Sequence, residues 1–251
     1  MSQADSAGVP WEGRSFESNP HAGDDGSADA ALLAALEAFH AGSGDAVAIV
    51  DAYRDARLLI PLVAEGGDVG IAPSGHTVDK TQELSIVTVA APDGRRVLPV
   101  FTSVASLARW DAKARPVPVE GVRTALSAAA DDSDLIVIDP GSDDTEFVLR
   151  RPAVWAIGQG QPWEPAFRSP EVYAGLQQSV ASEMGVIDLT VADGDPTGRL
   201  RGPELIVGLH LVDGLEKPAL DAILQRLAAR WATDDRVAVL VDSLTVKLLR
   251  G

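Results

Sequence analysis

The spacing of apolar residues along the chain shifts several times between a helical and a strand-like period, and those shifts mark the elements. Leu32, Leu33, Leu36 and Phe39 recur at helical spacing between Ala28 and Ala41, ahead of Gly42 and Gly44 as a stop signal, which predicts an amphipathic helix. A second helix follows, with Asp45 as its N-cap and Val47, Val50 and Tyr53 on one face. The run from Leu58 to Val63 fits a strand, and Pro61 predicts an edge or bulge position because proline cannot donate to a ladder. Residues 84–90 and 96–101 flank Pro92-Asp93-Gly94, a hairpin signal, since Asp-Gly readily takes the backbone conformation of a tight turn. Thr102 or Ser103 then caps a helix bearing Val104, Leu107 and Trp110. Pro116 and Pro118 impose an extended segment, and residues 121–130 form a core-facing helix. Residues 135–138 and 147–149 read as strands joined by an acidic turn, and Pro152 sits in the first turn of a short helix containing Trp155.

From Gln159 to Pro170, Pro162, Pro165 and Pro170 alternate with Trp163 and Phe167, a pattern that excludes regular structure and sets a domain boundary. Beyond it the pattern predicts a helix from Glu171 to Met184 and strands from Val186 to Val191 and from Glu204 to Val212. A long helix follows, with Leu220, Ile223, Leu224, Leu227 and Trp231 on one stripe and Pro218 in its first turn, and then two final strands. The fold class is therefore α+β, with a mixed or antiparallel sheet and packed helices in an N-terminal domain and a smaller α+β C-terminal domain. The boundaries are a flexible arm over residues 1–27, the first domain over 28–158, a Pro/aromatic-rich linker over 159–170 and the second domain over 171–251. The arm is too polar to bury much surface, and Trp11 and Phe16 are its handles. Docking them on their own domain avoids the entropy of association, which favours that use over a contact with a second subunit. No internal repeat is visible.

Composition narrows the function classes. Lys and Arg number 21 against 37 Asp and Glu in 251 residues, a net charge of −16. Nucleic-acid and anionic-membrane binding both start from Lys and Arg neutralising phosphates or head groups, so neither partner is expected. The absence of cysteine removes disulfides, thiolate nucleophiles, Cys-ligated zinc and iron–sulfur clusters. No stretch approaches the ~20 apolar residues of a membrane span. Residues 1–10 lack a basic region followed by an apolar run, so a cytoplasmic location is expected. Much of the acidic charge reads as solvated surface that keeps the protein soluble.

Several strings are similar to one known family. Leu58-Leu59-Ile60-Pro61-Leu62, Glu83-Leu84, Pro92-Asp93-Gly94-Arg95-Arg96 and Leu98-Pro99-Val100-Phe101-Thr102-Ser103, with Leu107 and Trp110 after them, resemble the SseB family, named for enhanced serine sensitivity. Residues 135–140 (LIVIDP) match that family's strand end, with Asp139 in place of an Asn-like residue. The resemblance covers roughly residues 30–152, and residues 202–249 resemble the C-terminal half of longer SseB-like proteins. It implies a bacterial, cytoplasmic α+β protein of no established enzymatic activity that acts by association, and it supplies no catalytic residue.

Candidate chemistry is sparse. A serine hydrolase needs a strained G-x-S-x-G turn, and the nearest string is Gly42-Ser43-Gly44 at a helix end. Neither a phosphate-binding loop nor a dinucleotide fingerprint occurs, and Gly158-Gln159-Gly160 follows a helix instead of a strand. The histidines, His21, His40, His76 and His210, fall one per element. His76 shares a long polar loop, residues 64–82, with Glu65, Asp68 and Asp79, a set able to converge on a metal or to supply a general base, although a solvated loop histidine is the plainer use. Asp193, Asp195, Thr197, Gly198 and Glu204 fall at positions 1, 3, 5, 6 and 12 of an EF-hand-like order, which makes Asp193, Asp195, Thr197 and Glu204 a candidate metal set. Flanking strands, Arg199, Arg201, Pro196 and Pro203 favour a plain hairpin loop there. The acidic cluster of Asp131, Asp132, Asp134, Asp139, Asp143, Asp144 and Glu146 reads as a solvated face, with acid–base work or a basic partner as the alternatives. No cofactor is called for. The expectation is a non-catalytic protein that self-associates or binds a protein partner, with Trp155, Trp163 and Phe167 as contact groups, though domain packing also uses such rings. The competing class is a metal-dependent or hydrolytic enzyme, or a small-molecule sensor, using the His76 loop, the Asp193 loop or an interdomain cleft.

Overall fold

A computed structural model describes residues 23–64, 69–71, 77–79, 84–86, 88–91, 93–130, 133 and 135–250. Trp11, Phe16, His21, Glu65, Asp68, His76, Asp131, Asp132 and Asp134 lie outside the described residues, as does the side chain of Asp79.

The first half runs α1 (Ala30–His40), α2 (Ala46–Asp55), β1 (Arg57–Ala64), β2 (Val69–Ile71), β3 (Thr77–Asp79), β4 (Leu84–Ile86), β5 (Val89–Ala90), β6 (Arg96–Val100), α3 (Val104–Trp110), β7 (Arg115–Glu120), α4 (Gly121–Ala130), β8 (Ile136–Ile138), β9 (Phe147–Leu149) and α5 (Arg151–Gln159). The second runs α6 (Pro170–Val180), β10 (Val186–Asp193), β11 (Leu205–Leu211), α7 (Lys217–Thr233), α8 (Asp235–Ala238) and β12 (Leu244–Arg250). The fold is α+β. Asp29 caps α1, Asp45 caps α2 by accepting from Ala48 N, and Ser103 caps α3 by accepting from Ser106 N.

In the first half β1 lies between β4 and β7, both antiparallel to it, and a second sheet runs β5-β6-β8-β9 with β6 and β8 parallel. Mutual hydrogen bonds between Leu59 and Phe101 join the two sheets. Pro61 therefore stands in a central strand and not at an edge, and the register explains how. Leu59 N points away from β7, towards Phe101, so the pairs Leu59 with Pro118 and Pro61 with Pro116 are non-hydrogen-bonded pairs of the β1–β7 ladder. The missing N–H of Pro61 costs that ladder nothing, and those of Pro116 and Pro118 face the free side of β7, where proline discourages further pairing. The single strand expected over residues 84–90 divides between the sheets: β4 pairs with β1, while β5 forms the Asp-Gly hairpin with β6, its turn held at Gly94 by φ +86°.

The second half is a three-stranded sheet, β10-β11-β12, antiparallel then parallel, with residues of α6, α7 and α8 packed against it in one apolar cluster. Of the two final strands expected, the first is α8. Asp234 accepts from Arg236 N to cap it, and the buried Val237 and Val241 are four residues apart, a helical spacing. One apolar cluster unites Leu32, Leu36, Tyr53, Leu58, Val100, Ile138, Leu149 and Ile157. A second unites Val172, Leu176, Leu189, Val207, Leu227 and Trp231.

Candidate functional site

The two clusters meet along a seam stitched mainly by arginines. Arg150, at the N-cap of α5, lies 7% exposed and spends both terminal nitrogens. Nη1 donates to Asp242 Oδ2 and Ser243 Oγ, each at 3.1 Å, and Nη2 donates to Asp195 Oδ2 at 2.7 Å and to Gly202 O at 2.8 Å. Arg95, leaving the β5–β6 turn, grips the same Asp242 through both terminal nitrogens at 2.7 and 3.1 Å. Burial alone would raise the Asp242 carboxyl, but the hydrogen bonds and charges of Arg95 and Arg150 outweigh it and hold the group below the usual carboxylate range. Arg151 donates to the carbonyls of Ala238 and Val241, and Arg168 pairs with Asp45 at 3.1 Å.

The loop from Asp193 to Glu204 is the part of the second half pressed into this seam. Asp195 organises it: besides Arg150, its carboxylate accepts from Leu200 N, Arg201 N and Thr197 Oγ1. Gly198 O accepts from Val148 N at 2.7 Å, and Gly198 needs to be glycine on two counts. Its φ is +63°, and a Cβ would come within 2.5 Å of Phe147 Cε2. The EF-hand-like order thus has a different use. Asp193 Oδ1 accepts from Asp195 N, Glu204 Oε2 accepts from Asp242 N, and Thr197 is exposed, so the four candidate ligands serve separate backbone and side-chain partners. Among the described residues no three His, Asp or Glu side chains gather to hold a metal ion.

Between the halves lies a cavity of about 180 Å³. Phe39, Phe147, Trp163 and Phe167 supply aromatic walls, and Asp45, Arg150, Arg168, Asp193, Asp195 and Glu204 supply charge. Glu204 is 7% exposed, and burial, with Asp242 nearby, pushes its carboxyl up to about 7 against the hydrogen bond from Asp242 N. Of the three expected contact aromatics, Trp163 and Phe167 line this cavity. Trp155, stacked under Arg151 at 5.0 Å, instead faces a wider groove of about 840 Å³ with Pro162, Trp163, Val239 and Leu240.

The acidic cluster divides. Asp143 and Asp144 are exposed, as a solvated face requires, but Asp139 is only 1% exposed. It accepts from Thr102 N, Thr102 Oγ1 and Thr145 Oγ1, tying the end of β8 to the turn that opens α3. A carboxyl with three local donors no longer needs water. His40 meets Glu146 O, and His210 sits opposite Asp188 on the β10–β11 ladder. The roles of Arg150, Arg168 and Asp242 in the seam carry no local signal in the sequence, because the charged partners they meet there lie 45 residues away or more; Asp45 is legible only as the cap of α2.

The strings quoted from the first half meet in this architecture, with Thr102 and Asp139 hydrogen-bonded to one another. The family model described as the SseB protein N-terminal domain matches residues 32–156, ending inside α5, so the second half lies beyond the match. No curated protein and no solved structure matches the chain. By this match, which takes in every strand of its first half, the chain belongs to the SseB family.

Proposed function

We propose that this chain is a binding protein that takes a small molecule into the cavity between its halves. The observation that carries the reading is the make-up of that cavity. Both halves wall it with four aromatic rings and six charged side chains, and among the described residues the lining holds no hydroxyl, thiol, imidazole or amine to act as a nucleophile. Its volume is close to that of engineered cavities of about 150 Å³ that take benzene, so the ligand has on the order of eight non-hydrogen atoms. A cytoplasmic metabolite of that size fits the acidic, cysteine-free composition. The C-terminal half, which the family match does not reach, would set the ligand choice through Phe167, Arg168, Asp193 and Glu204.

Thermal shift of the full chain against small probes of that size, acids, amines and neutral aromatics alike, tests this reading. A binder at about ten times its Kd stabilises by about 1.4 kcal/mol, or roughly 3–5 °C at this chain length. Ala46→Phe, which puts a ring into the cavity, should remove the shift. If no probe raises the melting temperature, or all raise it equally in Ala46→Phe, the reading fails.

A second reading, association through the Pro/aromatic segment, has the Trp155 groove in its favour. Light scattering of the wild type and Trp155→Glu decides it: a dimer lost in the variant supports association, and a monomer in both removes it.

A further inference from the structure

The cavity's charges do not balance, and the imbalance identifies the ligand's chemistry. Its two arginines are already engaged. Arg150 spends its terminal nitrogens on Asp195, Asp242, Ser243 and Gly202 O, and Arg168 is paired with Asp45 at the rim. Two lining carboxyl groups remain without an ion pair among the described residues, Asp193 and Glu204. Both line the same cavity, at the end where Gly194 N donates to Glu204 O and the β10–β11 ladder opens into the loop. Asp193 Oδ1 accepts one backbone N–H, from Asp195, and the Glu204 carboxyl is bonded by two, from Asp242 and Ala166, which leaves acceptor capacity on both groups. The same lining holds the rings of Phe39, Phe147 and Trp163, and aromatic faces attract cations and repel anions.

Resting on the small-molecule reading above, we propose that the ligand is an organic cation, a protonated amine on a compact apolar body. Its ammonium group lies between Asp193 and Glu204 and its body against the aromatic wall. The groups facing Glu204 fix how binding responds to pH. Burial and the charge of Asp242 before β12 oppose its ionisation, while the backbone N–H groups of Asp242 and Ala166 and the charge of Arg150 at the start of α5 favour it; Asp193 and Asp195 on the loop share the cavity lining. Arg168 and Asp45 lie across the cavity as a neutral pair. A protonated amine supplies the missing positive charge, so it binds the ionised form of Glu204 and releases a proton from the rest. With the carboxyl titrating at about 7, the competent fraction rises between pH 6 and pH 8. The apparent affinity rises roughly tenfold over that interval.

Three probes of one shape, benzylammonium, benzyl alcohol and benzoate, decide between charges when titrated calorimetrically into the full chain at pH 6 and pH 8. The expected result is binding of benzylammonium alone, about tenfold tighter at pH 8, with a heat that varies with buffer because a proton is released. Glu204→Gln should weaken it at least tenfold and abolish the pH dependence, and Asp193→Asn, at a half-buried position, should weaken it while leaving the melting temperature near wild type. Binding of benzoate or benzyl alcohol with no response to the amine overturns the cation assignment and leaves the small-molecule reading standing. Silence from all three probes overturns both.

Discussion

Asp139 combines a φ of +44°, a conformation that Asp and Asn tolerate better than most residues, with a buried carboxyl that accepts from three donors. Asp139→Ala would leave Thr102 N–H without its acceptor and add backbone strain, and we expect a loss of about 3 kcal/mol in chemical denaturation. Asp139→Asn keeps an acceptor and the tolerated φ, so it should cost less than half as much. Equal losses in the two variants would mean that the hydrogen bonds are not what holds this corner. Glu204 gives a prediction of opposite character. Its carboxyl is raised from 4.5 to about 7 in the folded chain, so between those values the native state holds a proton that the unfolded state has lost. Stability must therefore fall as pH rises through that window, by on the order of 3 kcal/mol in all from the 1.4 kcal/mol carried by each unit. Glu204→Gln retains an acceptor for Asp242 N and has no charge to bury. Plotted against pH from 4.5 to 8, its stability should gain steadily on wild type, and a constant difference would show that Glu204 is not strained by burial.

The elements differ in how legible they were. Helices with a stripe and a local start signal, an aspartate cap in α1 and α2 and Pro218 in α7, follow from local spacing because their information is contained within a few turns. Residues 84–90 could not be divided by inspection, since which of two sheets a short apolar run joins depends on partners on other strands. The run around Val237 and Val241 resembles a strand in composition but is bent into α8 by the Asp234 cap and the need to cover the second core. The Asp193 loop was visible as an ordered set of oxygens, and only the fold reveals that an arginine 45 residues earlier fills the place a cation would take. That substitution is testable. Arg150→Met removes the positive charge that Asp195 and Asp242 share; Asp242 keeps Arg95, but the buried Asp195 carboxylate is left without an ion pair, a loss of about 3–5 kcal/mol. Calorimetry should show one unfolding transition for the wild type and two for the variant, because the seam and not either core has been cut. A single, merely shifted transition would place the coupling elsewhere, for example in the Val148 to Gly198 backbone bond.

At the scale of the whole molecule, two cores of ordinary composition are joined by a seam whose ion pairs are largely buried, while most of the −16 charge lies outside it. These two populations respond differently to salt. Surface carboxylates repel one another over distances that mobile ions screen, and the Debye length shrinks from about 20 Å in roughly 20 mM salt to about 6 Å in roughly 300 mM. The pairs Arg150–Asp195 and Arg150–Asp242 at 2.7 and 3.1 Å lie inside that length and away from solvent, so screening barely reaches them. Exposed pairs such as Lys217–Asp221 contribute little at any salt concentration. Relief of self-repulsion should therefore dominate, and the melting temperature should rise across that salt range at neutral pH, with the same slope in Glu204→Gln. A fall with added salt would show that attraction across the surface outweighs repulsion. The acidity would then be part of what holds the halves together instead of a charge the fold tolerates.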